Sequence, residues 1–334
     1  MSEPRIPSRA HFVWLGPRLS ALAYLSVRAA LDRAGLDEVT LHFDTPALAD
    51  TPPLRDLAGR SGFSAAPLDV RAFAALDAGT PGGLSPATWE RLVALDALGG
   101  MTPAIRSDLH RLELLWLFGG IYLDTDAVAL ADLRPLLGDA MFCGTEQICF
   151  PMVVKGGFNP LRWAQGGLLT GLRQIVVSGA RHPSRPFQTI APLYFHEPMG
   201  AVCGAAPRHP LVRALIERAA SLPDREARRP NRIGPWLFQE VIGDGRGHDV
   251  RLHAPHAFYP FPPEISIDYM RPDPEGALGD RPFPETVVAH LWDSVMKAKL
   301  GHAVGADDLR AMRHHTLVGR MVEPYLDDLF AVSA

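Results

Sequence analysis

At the start of the chain, two short apolar runs each predict a strand, and the segment between them predicts a helix. The apolar run Arg9–Leu15 follows a proline and ends at a Gly-Pro pair, which predicts a short buried strand. Ser20 is a suitable N-cap for a helix over Ala21–Ala34, and a glycine follows it. Glu38–Phe43 predicts a second strand. A strand, a helix and a strand in this order indicate an α/β fold.

The clearest helix-to-strand pattern begins at Thr102, which predicts an N-cap with proline at the first helical position. Apolar residues then recur at helical spacing: Ile105, Leu109, Leu112 and Trp116. A Gly-Gly pair predicts the end of this helix, and Ile121–Leu123 predicts a buried strand. This strand carries Asp124 and Asp126 at its C-terminal end, where open α/β sheets bind ligands.

The remaining pattern predicts further elements with less regular spacing. Strands are predicted at Ala66–Phe73, Ala140–Cys143, Met152–Val154 and Thr286–Leu291. Helices are predicted at Pro210–Ala220, Pro235–Ile242 and 306–331, with proline-rich coil over 254–286. The sequence contains no internal repeat and no flexible linker, so we expect one continuous domain over residues 1–334.

Composition narrows the possible partners and compartments. The chain is 47% hydrophobic and 21% charged, which excludes wholesale disorder, and its formal charge of −4 argues against nucleic acid as a partner. Three cysteines fit a reducing compartment rather than a disulfide framework. No signal peptide and no apolar run of transmembrane length is found, so we expect a cytoplasmic protein.

Two pairs of charged residues are candidates for chemistry. Asp124 and Asp126 would point to one face if the strand continued, and one or two carboxylates with phosphate oxygens are typical ligands of Mg²⁺ or Mn²⁺. The alternative is a pair of solvated turn acids. Asp108 and Arg111 lie three residues apart on the predicted helix, either as a surface ion pair or as groups that bind a sugar hydroxyl and a phosphate.

These residues belong to a longer signature. Ser107–Arg111 reads S-D-x-x-R, and Phe118–Asp126 reads F-G-G-I-Y-L-D-T-D. Together they resemble the DXD sugar transferases of glycosyltransferase family 32, which include fungal α-mannosyltransferases and vertebrate α-1,4-sugar transferases. The catalytic domains of the large clostridial glucosylating toxins share a similar signature. Other segments resemble this family in the same order: Ile6-Pro7, His11–Gly16, His209-Pro210, Gly234-Pro235, Phe258–Pro260 and His290–Trp292.

The resemblance implies an α/β, GT-A type Rossmann-like nucleotide-sugar-binding fold with a mixed central sheet flanked by helices. It implies a donor part at about 6–130 and an acceptor-side, closing part at about 131–334. The implied activity is metal-dependent transfer of a hexose from a UDP- or GDP-sugar, with retention of anomeric configuration. The acceptor, a glycan, a natural product or a protein, is not identified by the sequence.

The resemblance also implies roles for residues at the nucleotide. Trp14 would stack on the base and Tyr122 would line the nucleotide pocket. Asp108 and Arg111 would hold the ribose and the sugar–phosphate region. An arginine beside a metal stabilises the charge of a departing diphosphate, which makes Arg111 a catalytic candidate together with Asp124 and Asp126.

The implied metal is Mn²⁺ or Mg²⁺, close to the diphosphate. Asp126 would be the direct ligand, and Asp124 would contact either the ribose or the metal. His290 and Trp292 would come from a C-terminal loop that closes over the diphosphate, with His290 as a metal or phosphate ligand.

Two other functions remain open on the sequence alone. One is a non-catalytic sugar-nucleotide or glycan-binding module. The other is a phosphatase of the haloacid dehalogenase type, because residues 124–128 match D-x-D-x-[TV]. Such phosphatases need a later lysine before an acidic pair, and Lys155 comes too early while the other two lysines follow residue 296. The roles of two further polar pairs stay open: His196-Glu197 has the composition of an acid/base pair, although adjacent residues rarely face one site, and Gln239-Glu240 either reach the acceptor or are ordinary polar helix residues.

Overall fold

A computed structural model of the chain describes residues 5–156, 159–243, 245 and 249–333. Its strands are β1 Arg9–Trp14, β2 Glu38–Phe43, β3 Phe63–Pro67, β4 Gly120–Leu123, β5 Ala127–Ala129, β6 Met141–Ile148, β7 Phe195–Ala205, β8 Arg251–His253 and β9 Val288–His290. Seven of them form one sheet in the order β3-β2-β1-β4-β7-β6-β8, and β5 pairs with β9 in a separate two-stranded ribbon.

The described α-helices surround this sheet. They are α1 Ala21–Arg33, α2 Pro52–Ala58, α3 Val70–Asp77, α4 Pro86–Asp96, α5 Pro103–Phe118, α6 Met152–Lys155, α7 Pro160–Gly179, α8 Ser184–Ile190, α9 Pro210–Ala220, α10 Asp224–Ala227, α11 Pro235–Val241, α12 Pro255–Phe258, α13 Asp293–Leu300, α14 Ala306–Met312, α15 Leu317–Val322 and α16 Leu326–Ser333. Short 3₁₀ turns lie at Pro46–Asp50, Arg134–Gly138, Ala191–Leu193, Ser266–Tyr269 and Glu323–Tyr325.

The central sheet is mixed. Strands β1 to β4 run parallel to one another, whereas β7 is antiparallel to both β4 and β6. One apolar core includes residues of α1, β5, β9 and the C-terminal helices, and a second includes residues of α4, α5, α9 and α11. The predicted α/β class, with a mixed central sheet flanked by helices, is therefore confirmed.

Local sequence signals located several elements correctly. The structure confirms the strand that begins at Arg9, the helix capped by Ser20 and the strand Glu38–Phe43. It also confirms the helix capped by Thr102 and, without a shift, the helix Pro210–Ala220. Each of these segments has a capping residue, a short apolar run or a clear helical period.

One predicted strand is displaced along the chain, and another is wrong. Within the stretch predicted as Ala66–Phe73, the strand ends at Pro67 and helix α3 begins at Val70, because the Asp69 side chain accepts hydrogen bonds from two amides of the first turn. The predicted strand Met152–Val154 is helix α6, whose first turn follows a proline. Capping by Asp69 starts the helix at Val70, whereas the short apolar run Met152–Val154 is compatible with a helical turn as well as with a strand.

The pattern also left many elements unpredicted, among them α4, the 20-residue helix α7 and the 11-residue strand β7. None of the helices in the described residues has both the length and the apolar character that crossing a bilayer requires.

A chain of buried hydrogen bonds joins β2, β1 and the turn before β4. The rings of His11 and His42 lie 3.0 Å apart between Nδ1 and Nε2, and His11 Nε2 lies 2.8 Å from the carbonyl oxygen of Gly119. These bonds form if His11 donates from Nε2 and accepts at Nδ1, so both rings are neutral. Burial lowers the pKa of His11 to about 4 and lowers the pKa of His42 well below its usual range.

This arrangement predicts a loss of stability in mild acid. Unfolding below pH 6.5 exposes histidines that then take up protons, so the free energy of unfolding falls as the pH drops from 6.5 towards about 4. Each neutral histidine contributes a slope of about 1.4 kcal/mol per pH unit. Replacement His42→Gln keeps an amide donor near the position of Nε2. It is expected to reduce the pH dependence of the free energy of unfolding, measured with urea, by the contribution of about one proton. The exposed His315→Gln serves as control, and an unchanged slope in His42→Gln would contradict this account.

Candidate functional site

Helix α5 and strand β4 bring the first charged residues together. Arg111 lies on the inner face of α5, and Asp124 follows the last residue of β4. The amide of Asp124 donates to the carbonyl of Ala201 on β7, which holds the chain at this point. The strand does not continue through Asp126. Instead a turn closes with a hydrogen bond from the amide of Ala127 to the carbonyl of Asp124, and this turn brings the two carboxylates together.

The ribbon of β5 and β9 supplies the opposite wall. His290 pairs in register with Ala127, so a residue late in the sequence lies beside the turn. His290 Nε2 is 3.2 Å from Asp126 Oδ1 and 3.6 Å from Asp124 Oδ2. The amide of Asp293, the first residue of α13, donates to Asp126 Oδ2 at 2.8 Å. Both carboxylates are therefore held by groups from a distant part of the chain.

Arg111 holds the other side of Asp124. Its Nη2 lies 2.8 Å from Asp124 Oδ1 and 2.8 Å from Asp108 Oδ1, and its side chain is only 3% exposed. The guanidinium lies over the ring of Tyr122, 4.5 Å from the ring centre. A Cβ on Gly200 would overlap this guanidinium, so only glycine leaves the arginine its place. The predicted pair is thus a buried ion pair and not a surface one.

These groups line one cleft of about 320 Å³. Its acidic lining residues are Asp108, Asp124, Asp126 and Asp293, and its basic lining residues are Arg111 and His290. Even with His290 protonated, the lining carries more negative than positive charge. Such a surplus in a concave, partly buried site favours a bound cation.

Burial and the neighbouring charges shift the pKa values of the titrating groups in the cleft. Burial opposes a charge on His290, but Asp126 and Asp124 outweigh it and raise its pKa to about 10. Burial also acts on Asp126, yet His290 and the Asp293 amide keep its pKa below the usual value. Burial raises the pKa of Asp108 to about 6 despite the neighbouring Arg111. A proton on His290 therefore supplies positive charge at the place where the carboxylates converge.

The residues fit a divalent metal ion. Asp124, Asp126 and His290 each offer one ligand atom, and these three atoms lie within 4.8 Å of one another. Two buried atoms beside them, Asp293 Oδ1 and His290 Nδ1, have no hydrogen-bond partner among the described residues. Two carboxylates and an imidazole form a donor set suited to a first-row ion such as Mn²⁺.

The structure gives the other predicted site residues distinct positions. Trp292 lines the cleft, its ring edge-on to His290 with centres 4.4 Å apart, and its indole N–H donates to the carbonyl of Phe261. Tyr122 is buried beneath Arg111 and does not line the described cleft. Trp14 is half-buried at the end of β1, also outside the cleft lining, and its buried indole nitrogen has no partner among the described residues.

The polar residues without an assigned role lie elsewhere. His196 and Glu197 are on β7, and Glu197 is buried opposite Glu146 of β6. Glu240 forms ion pairs with Arg218 and Arg232, and Gln239 is buried on α11. These contacts do not bring the four residues to the metal-ligand cluster.

Sequence reasoning did not single out three residues that matter here. Gly200 reaches the site through its close approach to Arg111, and Asp293 through the hydrogen bond from its amide to Asp126. Neither kind of contact has a signal in the local sequence. Glu146 of β6 is a carboxylate that is only 7% exposed. Burial and the charge of Glu264 raise the pKa of Glu146 to about 8. A charged residue at an inward position of a strand is the one sequence signal that marks Glu146.

Residues 91–143 match the family model described as "Glycosyltransferase sugar-binding region containing DXD motif". This segment includes α5, β4 and the turn with Asp124 and Asp126, so the predicted DXD glycosyltransferase motif is confirmed. The finer relationship to family 32 and its fungal members stays a prediction. No curated protein sequence matches the chain at a significant level.

Structural matches include three solved glycosyltransferase structures. The "PaToxG Glycosyltransferase" matches at 13% identity over 73% of this chain and 70% of that chain, with a TM-score of 0.45. The ligand-free glycosyltransferase domain from the YGT toxin matches at 9% identity, 93% and 89% coverage, and a TM-score of 0.42. Its UDP-bound form matches at 10% identity, 75% and 80% coverage, and a TM-score of 0.40.

The contact between Gly200 and Arg111 generates a prediction about metal binding. Replacement Gly200→Ala would place a Cβ against the guanidinium of Arg111 and the ring of Phe238, and would push Arg111 away from Asp124. We expect the affinity for Mn²⁺, measured by titration calorimetry, to fall by about tenfold, the equivalent of about 1.4 kcal/mol. Gly99→Ala, where a Cβ meets open space, is the matched control. Equal Mn²⁺ affinity in both variants would show that Arg111 does not prepare Asp124 for a metal.

Proposed function

We propose that this protein is a metal-dependent glycosyltransferase that moves a hexose from a UDP- or GDP-sugar to an acceptor, with retention of anomeric configuration. The observation that carries the proposal is the convergence of Asp124, Asp126 and His290 in a cleft with a surplus of acidic side chains. The family match over residues 91–143 supports a sugar transferase over other users of such a cluster.

Asp124, Asp126 and His290 are the residues that would hold the metal. Mn²⁺ or Mg²⁺ bound there would supply positive charge to a departing diphosphate oxygen, the point at which glycosyl transfer builds negative charge. The ligands are already oriented, since Asp126 accepts from the Asp293 amide and His290 is fixed by the ribbon of β5 and β9. Such preorganisation lowers the cost of assembling the charged site during the reaction.

Arg111 and Trp292 act next to these ligands. The Nη2 of Arg111 is shared by two carboxylates, so we assign Arg111 the task of orienting Asp124. Trp292 packs edge-on against His290 and fixes the orientation of the imidazole, while its own indole N–H is bound to the backbone. Asp108 lies at the same cleft and is available to a ribose or sugar hydroxyl.

The remaining assignments extend the same proposal. Trp14 serves the nucleotide base, Tyr122 supports the nucleotide side from beneath Arg111, and the donor part spans about 6–130. Residues 131–334 form the acceptor side and contribute the closing segment with His290. Retention and the GT-A type of fold follow from the family resemblance. No lysine lines the described cleft, so nothing there favours the phosphatase alternative.

A screen of nucleotide sugars tests the proposal. With Mn²⁺ present, a UDP- or GDP-hexose is expected to raise the melting temperature and to be hydrolysed slowly to free sugar. Asp126→Asn keeps an oxygen acceptor for the Asp293 amide but loses the charge, and it is expected to abolish both effects. Asp307→Asn, at a highly exposed carboxylate on α14, should retain both. A response in Asp126→Asn equal to that of the wild type would refute the site, and release of phosphate from phosphomonoesters would favour the phosphatase.

A further inference from the structure

Residues 147–196, which we call the basic segment, have an unusual charge composition. These 50 residues contain no aspartate and no glutamate, although the whole chain has 37 acidic residues and a formal charge of −4. The same stretch contains five basic residues: Lys155, Arg162, Arg173, Arg181 and Arg185. A positively charged stretch of this length in an acidic protein needs a physical explanation, because the mean composition predicts about five acids here.

Exposed apolar side chains are concentrated in the same stretch. Among the described residues, seven large apolar side chains are exposed, and six of them belong to the basic segment. They are Val153, Leu161, Trp163, Leu168, Ile175 and Leu193. The seventh, Leu76, lies on α3. Isolated exposed leucines are ordinary, but a concentration of them beside unpaired cations marks an interaction surface.

Helix α7 organises the longest part of this surface. Leu161, Leu168 and Ile175 are exposed by 81%, 65% and 68% and follow one another at steps of seven residues. Such steps rotate by only about 20° each, so the three side chains form one stripe along the helix. The face that packs on the protein is a different one and comprises Gly166, Leu169 and Arg173. The helix thus has a second apolar stripe directed to solvent.

The helix is also weakly supported by its own sequence and packing. Only those three of its 20 residues are buried, and four of the 20 are glycines. Each glycine in a helix interior costs about 1 kcal/mol relative to alanine. A long helix with this little burial and this many glycines gains stability when something covers its exposed stripe.

Three arginines of the basic segment are available to a partner. Arg162, Arg181 and Arg185 are exposed, and none forms an ion pair with a described residue. Arg185 donates only to the carbonyl of Ala277. Arg173 differs, since it is buried and paired with Glu264. Exposed apolar residues, a tryptophan at the helix start and unpaired arginines are the features of helices that lie on anionic membranes.

We propose that the basic segment docks the protein on an anionic lipid surface, with the Leu161–Leu168–Ile175 stripe of α7 inserted among the lipids. Charge argues against a second copy of this chain, because two such faces would bring six exposed arginines together, Arg162, Arg181 and Arg185 of each copy, and the segment itself contains no acid to balance them. The inference does not depend on the proposed function, since it uses no residue of the cleft.

Vesicle flotation tests the proposal without donor or metal. Wild-type protein is expected to bind vesicles of phosphatidylcholine that contain 30% phosphatidylserine. Its binding to vesicles of phosphatidylcholine alone is expected to be at least tenfold weaker, and raised salt is expected to weaken its binding to the anionic vesicles by at least the same factor. The double variant Leu168→Glu/Ile175→Glu should lose at least tenfold in binding. Leu76→Glu, an exposed leucine outside the segment, should bind like the wild type. Circular dichroism melting verifies that each variant folds.

The charge contribution is tested separately with Arg162→Gln/Arg181→Gln, which leaves the apolar stripe intact. We expect weaker binding to anionic vesicles and a smaller dependence on salt. Failure of wild-type protein to bind the anionic vesicles overturns the proposal, as does equal binding by wild type and the double glutamate variant. Concentration-dependent dimers in sedimentation velocity that the double glutamate variant abolishes would assign the stripe to a second copy instead. We expect these variants to hydrolyse the nucleotide-sugar donor like the wild type, so that the test of membrane binding is independent of the test of the proposed function.

Discussion

Two carboxylates cannot share a partly buried turn unless cations hold them, and this constraint organises the site. Asp124 and Asp126 repel each other, and water reaches them only in part. Arg111 balances Asp124 from α5, and His290 lies against both carboxylates from β9. The two cations come from opposite walls of the cleft, so helix, sheet and ribbon must all be in place before the acidic turn is stable.

The supporting groups are arranged to keep these cations where they are. Tyr122 lies beneath Arg111 and Gly200 leaves space for its guanidinium. Trp292 and Tyr259 stand edge-on to the ring of His290. Asp293 adds a backbone donor to Asp126 and a buried carboxylate oxygen without a described partner. A metal ion held by Asp124, Asp126 and His290 would take the place of the proton that the carboxylates favour on His290.

The sequence predicted those parts of the molecule whose causes are local. Ser20 and Thr102 marked helix starts through capping, and the apolar run before Asp124 marked β4. The strand predicted at Met152–Val154 is wrong, because a short apolar run is also compatible with a helical turn. The site residues were found as separate motifs by family resemblance. Their meeting depends on the pairing of His290 with Ala127, a contact across 163 residues that no periodicity encodes.

The most direct test of the central claim is pulsed electron paramagnetic resonance on the Mn²⁺-loaded protein. If Asp124, Asp126 and His290 bind one ion, the spectrum shows coupling to the nitrogen of a single imidazole. That coupling disappears in His290→Gln while it persists in a variant of the exposed His315. Bound Mn²⁺ without nitrogen coupling, or a coupling that survives in His290→Gln, would contradict the account.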